Sequence, residues 1–151
     1  MQRDSAVLPG SGRFDAFRLV RERQTLSGSL DAAALPRIAD RLADEPAPIR
    51  WRISGTVDEA GRAALDLDIE GELPLTCQRC LGVYRWPVDQ HTEVLIGRSA
   101  EEVASLDDRS DLEVVLASAP VDPVELVEDE LLLAVPFAPR HPEDACAQPV
   151  T

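Results

Sequence analysis

Lysine is absent from this 151-residue chain, and so is any excess of basic charge. Fifteen Arg stand against 28 Asp and Glu, for a formal charge of −13. A protein that drew its affinity from neutralising phosphates would carry a basic balance or a basic stripe. The chain as a whole is therefore repelled by bulk RNA. Aromatic residues are scarce, at 4%, which leaves the core to Leu, Val, Ile and Ala. There is no long apolar run: Leu131 to Pro139 is about half a membrane span and contains two prolines. Met1 to Phe17 mixes charges with Gly and Pro and has no apolar h-region, so no export signal is read there. Three cysteines without such a signal do not make a disulfide framework, and the cytoplasm is the expected compartment. A GxSxG elbow, an HExxH pair and a phosphate-cradling glycine loop are all missing. The chain is read as no enzyme.

A length of 151 residues fits a single domain. The expected division is a flexible lead-in over 1–12, an α+β domain over 13–136 and a C-terminal tail over 137–151. Charge is spread unevenly along it. Residues 1–52 carry nine Arg against seven acids, and 53–151 carry six Arg against twenty-one acids. The stretch 101–130 alone holds eleven acids and one Arg. Any nucleic-acid contact is thus expected near the Arg-rich first third, or through a protein partner. For most of the acids, solubility is sufficient reason.

The pattern predicts a short strand over Gln24–Leu30, then a helix capped by Asp31 that runs to about residue 43. Leu35, Ile38 and Leu42 form its apolar stripe, with Pro36 inside the first turn. Ile49, Trp51, Ile53 and Val57 alternate with polar residues, and Asp58-Glu59-Ala60-Gly61 reads as a hairpin turn. Leu65, Leu67, Ile69, Gly71, Leu73 and Leu75 alternate with Asp66, Asp68, Glu70 and Glu72, as in a sheet with one wet face. The alternation resumes at Tyr84, Trp86 and Val88, then Val94 and Ile96. Residues 97–112 read as a charged loop, and Val114–Leu116 as a short added strand. Asp122-Pro123-Val124-Glu125 starts a helix that ends at Pro136. Val127, Leu131, Ala134 and Val135 share its apolar face, widened by Leu126, Leu132 and Leu133, while Glu128, Asp129 and Glu130 cross the polar side. The fold class is α+β: a twisted antiparallel β-meander with two principal helices.

One motif carries chemical specificity, Cys77-x-x-Cys80. Two thiolates at this spacing can share one tetrahedral metal. Two further ligands, His141 and Cys146, stand beyond the last helix, so a Cys3His zinc set over Cys77, Cys80, His141 and Cys146 is one reading. The other is a metal-free structural knuckle whose small side chains let the hairpin reverse, with Arg79 projecting toward phosphate or carboxylate. A thioredoxin-type role lacks support, because strand alternation and no helix start follows Cys80. His91 has no nucleophile near it in sequence. Glu128, Asp129 and Glu130 are adjacent on a helix and do not face one another. Together with Arg79, they are candidate partner- or RNA-binding residues.

Cys77-Gln78-Arg79-Cys80 closing an alternating strand, and the run Val121-Asp122-Pro123-Val124-Glu125-Leu126-Val127-Glu128-Asp129-Glu130 through Pro136, with Pro139 and His141 after it, resemble the YceD family of large-subunit ribosomal RNA accumulation proteins. The likeness covers about residues 14–146. It implies a non-catalytic role in synthesis, processing or accumulation of large-subunit ribosomal RNA, with the pre-large-subunit particle or its RNA as partner, directly or through a protein. Some members of that family carry a second CxxC near the C-terminus. Here Cys146 and His141 stand in that region, which leaves both the zinc and the knuckle readings open. The alternative function is an acidic adaptor that docks a basic partner without touching RNA. No membrane association is expected.

Overall fold

The period-two run that begins near Leu65 forms the longest continuous ladder of the fold. The structure, a computed structural model, describes residues 4–6, 13–142 and 146. Its sheet has six strands in sequence order: β1 (Asp4–Ala6), β2 (Thr25–Leu30), β3 (Ile49–Val57), β4 (Ala63–Thr76), β5 (Val83–Gly97) and β6 (Glu113–Leu116). The pairs from β2 to β5 are antiparallel, and β1 and β6 join the two edges in parallel. The α+β meander expected from the sequence is the observed fold. Register aligns Leu26, Ile53 and Leu67 across one row and Gly28, Trp51 and Ile69 across the next. These side chains are buried on the face that the helices cover. Asp66, Asp68, Glu70 and Glu72 occupy the intervening β4 positions and so point to the opposite face.

Four helices lie among the described residues: α1 (Ala16–Arg21), α2 (Pro36–Ala39), α3 (Ala100–Arg109) and α4 (Pro123–Ala134). Asp122 caps α4 by accepting from the Val124 amide, and Pro123 occupies the first turn, as the sequence predicts. Gly55 on β3 sits against the Leu19 backbone of α1, where a Cβ would collide. That contact draws α1 onto the sheet.

Two readings are corrected. The helix expected from Asp31 to about residue 43 is a single 3-10 turn, Ala32–Ala34, followed by the four-residue α2. Leu35 separates them at φ −93 and ψ 110, because the ring of Pro36 excludes the α conformation from the residue before it. The charged loop expected over 97–112 contains α3 instead. Ser99 caps it by accepting from the Glu102 amide, and Glu102 reaches back to the Arg98 amide. A parallel β5–β6 pair needs a crossover, and α3 is that crossover.

The β4–β5 hairpin extends past its neighbour. β3 follows β4 only as far as Glu70, so residues 71–76 pair with β5 alone. Pro74 is tolerated there because its vacant edge needs no ladder donor, and its carbonyl accepts from the Ala43 amide at 2.7 Å. The tip of this hairpin holds the CxxC.

Candidate metal centre

Cys77 closes β4 and Cys80 precedes β5, in a turn pinned by two backbone bonds. The Cys77 amide donates to Gly82 O at 2.9 Å, and the Leu81 amide donates to Cys77 O at 2.8 Å. Leu81 takes φ +64, a left-handed conformation that a non-glycine residue adopts at a cost. The chain beyond α4 returns to this turn, where the Gln78 amide donates to Pro139 O at 2.8 Å. Two residues further on, His141 faces the cysteines.

Cys77 Sγ lies 3.8 Å from Cys146 Sγ, and Cys80 Sγ lies 3.6 Å from His141 Nδ1. One donor atom from each of the four residues falls within 4.8 Å of all the others. Tetrahedral zinc with bonds of about 2.3 Å to sulfur and 2.0 Å to nitrogen sets edges of roughly 3.5–3.8 Å between ligand atoms. The two shortest separations match those edges, and small shifts close the rest. The sulfurs are free thiols and no disulfide links them.

The surroundings favour a thiolate. Burial alone pushes the Cys77 thiol up, but the Cys80, His141 and Arg79 amides point at its sulfur and outweigh that effect, bringing its pKa down to about 5. The His141 and Arg79 amides lie 3.4 Å from it. Burial, and then the adjacent Cys80 and Cys77 sulfurs, push Cys146 up to about 11. One thiolate crowded by two further sulfurs, with the His141 side chain also directed at it, is a set of donors suited to a borderline-soft metal cation. His141 is oriented for the same role. Its Nε2 lies 3.1 Å from the Val83 carbonyl and donates there, which fixes the tautomer that leaves the Nδ1 lone pair toward the cysteines. The Tyr84 ring packs 5.0 Å from the imidazole.

The other candidate residues lie elsewhere. Arg79 is exposed on the turn and has no ion pair among the described residues. Glu128 and Glu130 are not on a wet face: they are 6% and 2% exposed. Glu128 accepts from the Arg37 amide at 2.9 Å and from its guanidinium at 3.0 Å, and Asp129 takes the same guanidinium at 2.6 Å. The three-residue patch therefore splits, with Glu128 and Asp129 clasping α2 and Glu130 turned into the core. Glu130 Oε2 has no hydrogen-bond partner among the described residues. Burial first, and then the Glu113 carboxyl beside it, raise the Glu130 pKa to about 8, while Thr92 opposes the shift. Leu133, expected to widen the apolar face, is 71% exposed. His91 bonds Asp68 at 2.7 Å on the outer sheet face; that bond, outweighing slight burial, raises its pKa with help from Asp66 and Glu93.

Four Arg of the Arg-rich first third are held internally. Arg18 pairs with Glu22, Arg37 with the α4 acids and Arg50 with Glu70, while Arg41 donates to Pro136 O. Arg37 was not foreseeable as a partner of α4, since 91 residues separate it from Glu128. Phe137, four residues before His141 in sequence, is 98% exposed. Its place between Pro136 and Pro139, past the end of a helix, was the available signal.

No helix among the described residues is long and apolar enough to cross a membrane. No solved structure matches the chain. The family model described as "Large ribosomal RNA subunit accumulation protein YceD" matches residues 65–151, which span β4, the CxxC turn, β5, α4 and the returning tail. With that match over more than half its length, the chain belongs to the YceD family.

Proposed function

We propose that this protein is a non-catalytic cytoplasmic factor supporting the synthesis, processing or accumulation of large-subunit ribosomal RNA, acting on the pre-large-subunit particle. The family match is the observation that carries this reading. Zinc at Cys77, Cys80, His141 and Cys146 has a structural role in it. Four protein ligands leave no open position for water or substrate, as in closed structural sites rather than catalytic ones. The metal pins the returning tail to the hairpin tip and so shapes the surface there.

A second reading is an acidic adaptor for a basic protein partner. It is favoured by the row Asp66, Asp68, Glu70 and Glu72, which the alternation of β4 places on the sheet face away from the helices. The two readings part in a deletion strain grown in the cold or at high rate. The ratio of mature large-subunit to small-subunit RNA falls under the first. An unchanged ratio removes the ribosomal reading. Co-sedimentation of the protein with pre-large-subunit particles that survives high salt argues for direct assembly on the particle over a loosely docked adaptor.

A further inference from the structure

A metal is one way to hold the tail at the hairpin tip, and the sulfurs there allow another. Cys77 Sγ and Cys146 Sγ, 69 residues apart in sequence, stand 3.8 Å from each other. Both are free thiols. A disulfide has its sulfurs about 2.0 Å apart, so a small approach of tail to hairpin joins this pair.

The third sulfur is engaged differently. Cys80 Sγ faces His141 Nδ1 at 3.6 Å. Cys80 also shares one tight turn with Cys77, in which the Arg79 amide reaches the Cys77 sulfur at 3.4 Å. A Cys77–Cys80 bond would draw that sulfur off the amide. A Cys77–Cys146 bond leaves it in place, because Cys146 approaches from outside the turn. Access has a matching order. Cys77 is buried, whereas Cys80 and Cys146 are partly exposed. A small oxidant therefore meets the two outer sulfurs first, and of these Cys146 has the buried Cys77 sulfur 3.8 Å behind it.

We infer that Cys146 is an oxidation site whose disulfide with Cys77 replaces the metal as the link between tail and hairpin. The oxidant is a hydroperoxide. The Cys146 sulfur attacks the O–O bond and keeps one oxygen as a sulfenic acid, and the other leaves as water with the thiol proton. The Cys77 sulfur then displaces the hydroxyl: an S–S bond forms, the S–O bond breaks, and hydroxide takes the Cys77 proton to leave as water. Two electrons pass from the sulfur pair to the peroxide. A disulfide sulfur is no longer an anionic ligand, and Cys80 with His141 alone make an incomplete zinc set, so oxidation and metal binding exclude each other. At cytosolic thiol levels such a bond is transient. The competition with zinc rests on the Cys3His reading of the tip. The cross-link itself does not.

The test uses the full chain, purified in reductant, as a zinc-loaded and a metal-free sample. Each is treated with equimolar hydrogen peroxide, quenched, alkylated and mapped by mass spectrometry. The metal-free chain should lose two hydrogens, with Cys77 joined to Cys146, Cys80 alkylated and full reversal by dithiothreitol. The zinc-loaded chain should release its zinc in step with the same bond. Cys80→Ser should still form it. Amide exchange at residues 77–84 should be slow in the zinc-loaded and the oxidised chain, and faster in the reduced metal-free one. A main product joining Cys77 to Cys80 or Cys80 to Cys146 overturns the inference, as does sulfinic acid without a disulfide. Exchange that is equally fast in the oxidised and the reduced metal-free chain refutes the linking role. If the chain takes up no zinc yet joins Cys77 to Cys146, the metal reading has failed and the oxidation site stands. If it binds zinc and neither sample gives that bond, the metal centre stands and the inference has failed.

Discussion

At its open end the β4–β5 hairpin places Leu65, Leu67 and Ile69 beside Val94 and Ile96, all buried under the helices. At its closed end, past the last β3 pairing, Arg85 and Pro87 are exposed, and Cys77 with Leu73 and Leu75 is buried under returning chain. The open end is stabilised by removal of apolar area from water, at about 25 cal/mol per Å2. The closed end adds to its buried Leu73 and Leu75 a set of directed bonds, amides to sulfur and imidazole to carbonyl, around four residues that would hold a metal. The first kind of stabilisation tolerates change in proportion to volume lost. The second would be lost all at once on removal of a ligand, because an incomplete donor set cannot hold an ion.

The sharpest way to break this contrast is to damage each end in turn. Leu67→Ala should lower global stability by about 3 kcal/mol, read as a shifted urea midpoint, with zinc content unchanged. Cys77→Ser should abolish bound zinc, and amide exchange at residues 77–84 should accelerate while residues 65–69 stay protected. Equal loss of protection at both ends would mean that the hairpin is one cooperative unit and the contrast is false.

A smaller effect is expected where α4 meets α2. Glu128→Ala removes the acceptor of the Arg37 amide and guanidinium. It should cost about 1 kcal/mol, at the low end for a charge-assisted bond because Arg37 is half exposed. Thermal melting measures it, and no change would show the clasp to be ornamental.

The last effect is read as a pH slope. Glu130 binds its proton more tightly folded than unfolded, with its pKa raised from 4.5 to about 8 by burial and Glu113, aided by Asp129 and opposed by Thr92. Its contribution is therefore fully present below about pH 4.5 and is lost as pH rises through about 8. Glu130→Gln should flatten the fall in urea midpoint between those limits. A parallel slope in the variant would place the titration elsewhere, with His91 the first alternative.

The difference between the two ends also governs what could be read without coordinates. A half-covered sheet writes its burial into the chain every second residue, so β4 was legible from Leu65 onward, and the Asp122-Pro123 start made α4 legible too. α3 was missed because its apolar stripe is thin, Ala100, Val103 and Leu106 with none fully buried, and is outnumbered by acids, although Ser99 and Glu102 carried a capping signal. The burial of Glu128 and Glu130 was hidden for another reason. A carboxylate reads as surface until its neighbours are known, and the groups these two meet, Arg37 on α2 and Glu113 on β6, lie on other elements. The four metal-centre residues could be named from the sequence. Their closure could not, since it depends on a tail that returns to the hairpin through the Gln78–Pro139 bond and contacts of His141 and Cys146 that no local pattern announces.

Leu81 adds a last consequence. At φ +64 it holds a conformation that glycine would adopt with less strain, yet its side chain is largely in water and adds little to the core. Glycine there would relieve a fraction of the roughly 1–2 kcal/mol of left-handed strain, less the entropy its own flexibility costs. The turn thus stands one substitution from a more relaxed form of itself. What that form would lack is the exposed apolar side chain of the turn, so relief of strain and exposure of apolar surface are in competition at this residue.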